Sequence, residues 1–188
     1  MHNIPNIISV LRILLVLPIA HLLLDEAWKS ALILIFIAGI SDAFDGFLAR
    51  AFHWQSKLGS ILDPLADKLL LVVLFVTLAY QNIIPNWLAF MVIARDIIIL
   101  LGAITYQWLT KDLKIAPLLS SKINTALQIV FVLGLMYHLA ISPLSQNLLL
   151  VMQILIVMTT LYSGVIYIIC WLGYYKKFQI KQADKIKS

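Results

Sequence analysis

Four aspartates interrupt otherwise apolar sequence at spacings that could do chemistry. Asp42 and Asp45 lie in Ile40-Ser41-Asp42-Ala43-Phe44-Asp45-Gly46, and Asp63 and Asp67 lie in Leu62-Asp63-Pro64-Leu65-Ala66-Asp67-Lys68. Helical positions three or four apart share a face, so each pair projects from one side of its helix. Two facing helices would then present all the carboxylates to a shared point. Like charges held so close repel unless cations sit between them. A set of oxygen ligands alone favours hard ions such as Mg²⁺, Mn²⁺ or Ca²⁺ over zinc. Such a set suits two ions about 3.5–4 Å apart, the arrangement that clamps a phosphoryl group during in-line displacement.

Other polar residues accompany them. Arg12 and the pair Arg95-Asp96 also stand within apolar runs. A charged side chain at the centre of a membrane helix costs roughly 2.5–3.5 kcal/mol on insertion scales, so these groups require partners. Gly46 and Ala49 leave space beside Asp42 and Asp45 for a ligand, or let a neighbouring helix approach closely. Pro64 fits a first helical turn with Asp63 at the N-cap. A helix starting nearer Ser60 would instead place Pro64 inside it and free backbone carbonyls. The sequence leaves both arrangements open.

The elements that must position these residues are legible from composition. The chain has 188 residues, is 62% hydrophobic and 12% charged, and has a mean hydropathy of +0.98. A soluble domain is typically about 45–50% apolar and about 25% charged, so most of this chain must face lipid. Residues 1–188 read as one membrane domain. A bilayer core of about 30 Å needs about 20 mostly apolar residues per crossing. Six stretches qualify, at about 5–24, 29–50, 60–80, 86–108, 121–140 and 147–173. The connections carry breakers and polar residues: Asp25 and Glu26, His53–Lys57, Gln81–Pro85, Thr110–Pro117 and Ser142–Asn147.

Orientation follows from the basic residues. Arg50, Lys57, Lys111, Lys114, Lys122 and the tail lysines from Lys176 to Lys187 fall on one side, against Lys29 alone on the other. The positive-inside rule then places both termini in the cytoplasm. A basic cytoplasmic tail is expected over about 174–188, and its lysines explain the pI near 9.4 without nucleic acid. The first apolar stretch carries Asn3, Asn6 and Arg12, unlike a cleavable signal peptide. Cys170 is the only cysteine, so no intrachain disulfide forms.

In this topology Asp42, Asp45, Asp63 and Asp67 share the inner leaflet, with Asn6, Ser9 and Arg12 at a similar depth. Lys122 starts the fifth stretch on the same side. Arg95 lies near the midplane, since a helix rises about 1.5 Å per residue. The expected fold is an all-α integral membrane protein whose six transmembrane helices enclose a polar cavity open to the cytoplasm. Intramembrane carboxylates also build cation and proton pathways, so a transporter is the competing class. A transporter would spread ionisable groups across the bilayer, whereas here the outer loops carry only Asp25, Glu26 and Lys29.

The residues also spell a signature. Asp42-x-x-Asp45-Gly46-x-x-Ala49-Arg50, eight residues, then Gly59-x-x-x-Asp63-x-x-x-Asp67 resembles the motif of the CDP-alcohol phosphotransferases without departure. At roughly one in twenty per specified position, chance agreement is on the order of 10⁻¹⁰ per start site. Asn3-Ile4-Pro5-Asn6 through Arg12 resembles the family's amino-terminal segment, and six helices is the family's count. The resemblance implies that Asp42, Asp45 and Asp63 ligate one Mg²⁺ or Mn²⁺ ion, and that Asp42, Asp63 and Asp67 ligate a second. It further implies that Gly46, Ala49 and Arg50 accommodate CDP with help from Asn6 and Ser9. Asp67 is the implied general base, deprotonating an acceptor hydroxyl that attacks the β-phosphorus of CDP-diacylglycerol, with CMP leaving. A homodimer in a bacterial inner membrane is the expected setting.

The acceptor is read from three further segments. Ile61–Lys68, Ile93-Ala94-Arg95-Asp96 and Ser121–Gln128 look closer to the family's cardiolipin synthases than to its phosphatidylglycerophosphate synthases. The latter tend to carry an Arg-Glu pair and a Gly-Lys-x-Lys-Thr segment, where this chain has Asp96 and Asn124. Glycerol 3-phosphate brings a phosphate monoester near two negative charges, and phosphatidylglycerol brings a diester with one. Loss of a cation at position 124 suits the second. The expected acceptor is therefore phosphatidylglycerol, with glycerol 3-phosphate as the alternative. Arg95 and Lys122 are the expected acceptor-binding cations, although Arg95 could instead pair with Asp96.

Overall fold

The computed structural model describes the backbone of residues 4–51, 59–110 and 119–187, and side chains over 10–41, 68–102, 105 and 119–171. The described residues form six helices and no strand: α1 (Ile4–Leu24), α2 (Trp28–Ala51), α3 (Gly59–Tyr80), α4 (Asn86–Thr110), α5 (Leu119–Ala140) and α6 (Gln146–Lys187). Each follows the apolar stretch expected for it, with one difference. The last helix runs 42 residues to Lys187 and takes in the expected tail. Beyond Gly173 the sequence holds no glycine or proline, so nothing in it stops the helix. Because α3 begins at Gly59, Pro64 lies inside the helix rather than in its first turn. Its missing N–H deprives the Ser60 carbonyl of the usual donor.

The chain divides into two compact units that interleave in sequence rather than follow one another. The first comprises Met1–Ala89 with Ile129–Leu149. Here α1 packs against both α2 and α3. Arg12, Val16, Ile19 and Leu23 recur every three or four residues along α1 and are all buried. The buried residues of α2 are Ala31, Ile35 and Ala38, with the small alanines permitting close approach. From α3 come Leu71, Leu74, Phe75 and Leu78, and Phe75 stacks on Phe131 of α5 with ring centroids 6.3 Å apart.

Matching devices finish α1 and α3. Glu26 and Asn82 both adopt positive φ, at 56° and 58°. The N–H groups of Glu26 and Ala27 donate back to Leu23 and Leu22, and those of Asn82 and Ile83 donate to Ala79 and Leu78. Both are Schellman motifs, which satisfy the terminal carbonyls of a helix. Gln81, at the end of α3, also donates from Nε2 to the Leu23 carbonyl of α1 at 2.7 Å. At the start of α6, Ser145 Oγ accepts from the Leu148 N–H, an N-cap bond.

The second unit comprises Phe90–Gln128 and Leu150–Ser188. In it α4 and α6 meet at Gly102, where an added Cβ would lie 2.9 Å from the Trp171 ring. Beside this contact is a cavity of about 340 Å³ lined mainly by apolar side chains, with Thr105 and Tyr167 among them. The Thr105 hydroxyl is already bonded to the Leu101 carbonyl, so the cavity offers little to a polar ligand.

The surface reverses that of a water-soluble protein. Arg12 is 1% exposed and Arg95 4%, while Leu17 is 72% exposed and Phe90 75%. Among the described residues, Leu119–Ala140 and Gln146–Trp171 are long and apolar enough to cross a bilayer. Phe75→Ala is expected to destabilise the first unit by about 3–5 kcal/mol, through lost packing and the cavity left against Phe131. Phe75→Leu should cost far less, and unfolding of both variants in detergent checks the order.

Candidate active site

The helices carrying the candidate metal ligands belong to the first unit. Asp42 and Asp45 lie three apart on α2, Asp63 and Asp67 four apart on α3, each pair within an unbroken helix. Both helices pack on α1, which also carries Asn6 and Ser9. This register supports the spacing argument for each pair. The side chains of Asn6, Ser9, Asp42, Asp45, Gly46, Ala49, Arg50, Asp63 and Asp67 lie outside the described residues, as do His53 and Trp54 altogether. The donor set is nevertheless chemically consistent, since four carboxylates and no softer ligand fit hard divalent cations.

Of the expected acceptor-binding cations, Arg95 is buried on α4 and Lys122 is exposed near the start of α5. The Arg95 guanidinium is divided between two partners. Its Nη1 donates to Asp96 Oδ1 and its Nη2 donates to Ser163 Oγ of α6. Gly164 lies beside the arginine stem, and a Cβ at that position would make ordinary contact with Arg95 Cγ at 4.0 Å. The alternative of an Arg95–Asp96 pair is therefore present, and it leaves Nε of Arg95 without a hydrogen-bond partner among the described residues.

One turn from Ser163 along α6, a second polar contact joins α5. Thr160 donates to Asn124 Oδ1 at 3.0 Å, and the Thr159 hydroxyl lies 2.9 Å from the same oxygen. Asn124 and Gln128 are both 0% exposed, and Thr160 and Ser163 are buried with them. Sequence reasoning names Arg95 and Lys122 but misses Thr160 and Ser163. The available signal is two hydroxyl residues three apart in the apolar run Leu148–Trp171. Hydroxyls at that spacing share a helix face.

The buried ion pair has a measurable consequence. Asp96→Ala strands the Arg95 charge in an apolar interior, a loss of about 3–5 kcal/mol for buried pairs broken on one side. Asp96→Asn keeps an acceptor for Nη1 and should lose less. Thermal unfolding in detergent should rank wild type above Asp96→Asn above Asp96→Ala.

Comparison with known proteins bears on what this arrangement does. The chain is 35% identical over 146 residues to a rat cardiolipin synthase (CMP-forming), covering 69% of this chain and 48% of that protein. It is 30% identical over 183 residues to the chloroplastic CDP-diacylglycerol–glycerol-3-phosphate 3-phosphatidyltransferase 1 of rice, covering 88% of this chain and 56% of the relative. A CDP-diacylglycerol–glycerol-3-phosphate 3-phosphatidyltransferase of Aquifex aeolicus is 34% identical over 106 residues, covering 54% and 58% respectively. The chain spans about half the length of the curated relatives it matches. Residues 2–174 match the CDP-alcohol phosphatidyltransferase domain, so the chain belongs to the CDP-alcohol phosphatidyltransferase family.

Proposed function

We propose that this chain transfers a phosphatidyl group from CDP-diacylglycerol to phosphatidylglycerol, forming cardiolipin and releasing CMP. The observation that carries the reading is the register of Asp42 and Asp45 on α2 and of Asp63 and Asp67 on α3, within a chain that matches the family from residue 2 to 174. The likeness to the rat cardiolipin synthase supports the acceptor. The neutral Asn124 supports it too, because a phosphodiester needs less positive charge than a monoester.

The four aspartates would hold two divalent cations, Mg²⁺ or Mn²⁺, which when bound neutralise the pyrophosphate and the leaving CMP oxygens. Asp67 acts as general base and takes the proton of the acceptor hydroxyl. The hydroxyl oxygen bonds to the β-phosphorus as the bond from that phosphorus to the bridging oxygen breaks, and CMP departs with the electron pair. Gly46, Ala49 and Arg50, with Asn6 and Ser9, hold the CDP moiety. Arg95 and Lys122 hold the acceptor phosphate. Six transmembrane helices, with the site and both termini at the cytoplasmic face, fit the apolar exteriors of α1, α4 and α6.

Glycerol 3-phosphate is the second reading, favoured by the match to the rice enzyme across 88% of this chain. Purified protein with Mg²⁺ or Mn²⁺ and CDP-diacylglycerol should release CMP with phosphatidylglycerol. Asp67→Asn should lower that rate by at least about 10²-fold, the lower range for loss of a general base. Release with glycerol 3-phosphate alone moves the assignment to the second reading. A rate that survives in Asp67→Asn removes that residue as the base.

A further inference from the structure

Arg12 is the largest fully buried side chain among the described residues, at 1% exposure, and the proposed chemistry gives it no task. A guanidinium does not give up its proton in proteins, so the charge is permanent. A permanent charge in an apolar interior calls for a countercharge. The acidic residues of the first unit are Asp25, Glu26, Asp42, Asp45, Asp63 and Asp67. Asp25 and Glu26 follow the far end of α1, about 20 Å along the helix axis from Arg12. That leaves the four aspartates of α2 and α3. Among the described side chains of this unit no other cation is enclosed, since Lys29 is exposed and Lys68 only half-buried.

The helix ends set the levels at which these groups stand. Only three residues join α1 to α2, so the two run antiparallel from a common end. Arg12 lies twelve residues before Leu24, and twelve residues after Trp28 is Ile40, two positions from Asp42. The last turns of α1 and α3 also meet, where Gln81 Nε2 donates to the carbonyls of Leu23 at 2.7 Å and Leu24 at 3.3 Å. These two helices pack together, so they run side by side in the same direction. Twelve residues back from Gln81 is Leu69, two positions from Asp67. Two residues of a helix rise about 3 Å, so Arg12 stands level with one aspartate of each pair. Packed helices lie about 8–10 Å apart, within the combined length of an arginine and an aspartate side chain.

Resting on the reading above that these aspartates hold divalent cations, we propose that Arg12 is a positioning residue whose buried guanidinium is the fixed countercharge of the carboxylate cluster. It acts through the aspartates rather than on the substrate. Without metal, it offsets the mutual repulsion of the carboxylates and keeps α2 and α3 drawn to α1. Toward metal, its charge opposes the incoming cation and so tempers the affinity.

The test uses the full chain in detergent, stripped of metal by a chelator. Thermal unfolding is followed with and without Mn²⁺, and binding is read from the paramagnetic resonance of free Mn²⁺. Arg12→Met keeps an unbranched stem and removes the charge. It should unfold below wild type without metal, and saturating Mn²⁺ should recover most of the difference. Its Mn²⁺ dissociation constant should fall by about 10-fold, less than the full repulsion of a unit charge about 10 Å from a divalent ion at an effective dielectric near 20. Arg12→Lys keeps the charge and should bind Mn²⁺ within about 3-fold of wild type. Adding Asp42→Asn or Asp67→Asn to Arg12→Met removes one charge of each sign. At least one of these double variants should unfold above Arg12→Met without metal, the coupling expected of groups that interact.

A dissociation constant that is unchanged or raised in Arg12→Met overturns the proposal. So does a loss of stability that Mn²⁺ does not reduce, which would make Arg12 a packing residue. Double variants that both unfold with or below Arg12→Met overturn it as well. Should Arg12→Met yield no folded protein, the double variants decide: recovery of folding in either supports the proposal, and failure of both refutes it. Absence of Mn²⁺ binding by wild type refutes the metal reading instead. The metal-free ranking of Arg12→Met against the double variants then still decides whether Arg12 answers the carboxylates.

Discussion

Polar groups enclosed by apolar side chains call for partners inside the protein, and this requirement shapes the second unit. A lone charge in such an interior is far costlier than one in water, so it is neutralised by geometry or not tolerated. Arg95 shows the outcome at its two terminal nitrogens. Its guanidinium is enclosed, its carboxylate partner is the next residue, and a hydroxyl from α6 takes the other terminal nitrogen. Asn124 follows the same rule with neutral groups, bridging α5 to α6 through Thr160. The placement of α4 and α5 against α6 is thus coupled to polar chemistry as well as to packing.

The other unit is organised by shape. One helix, α1, serves as the shared neighbour of α2 and α3, the two helices that carry the aspartates. Small residues at Ala31 and Ala38 bring α2 in, while Leu74, Phe75 and Leu78 fill the space toward α3. Whatever α2 and α3 do together, their common reference is the face of α1 that runs from Arg12 to Leu23. Prolines within α1 and α3 leave their helices unbroken. Neighbouring helices and local adjustments commonly make such interior prolines tolerable in membrane helices.

Much of this was legible in the sequence because long apolar runs leave few alternatives to helices. Turn residues such as Asp25-Glu26, Asn82 and Ser142-Pro143 mark the ends closely. The helix α6 continues past its apolar stretch because charge ends an apolar stretch but not a helix. Pro64 was ambiguous because a proline suits a first turn and also survives inside a helix held by neighbours. Site residues divided by the kind of signal they leave. Carboxylates in an apolar run announce themselves, and so does Arg95-Asp96. Thr160 and Ser163 do not, since hydroxyl residues are ordinary in apolar helices and matter only once the partner helix is known. Gln128 stood within a segment noted for its resemblance, yet its unsatisfied amide emerges only from three-dimensional packing.

The bond from Gln81 to the end of α1 bears on the order in which the molecule is made. Leu23 and Leu24 leave the ribosome long before residue 81 exists, so a nascent α1–α2 hairpin must present those carbonyls to water. They exchange water for the Gln81 amide only after α3 has been synthesised through its last turn. The side chain therefore works as a latch that closes late, joining the ends of two helices that another helix and a connecting segment separate in the chain. Until then that end is held only by its own Schellman bonds and by the packing of α1 on α2.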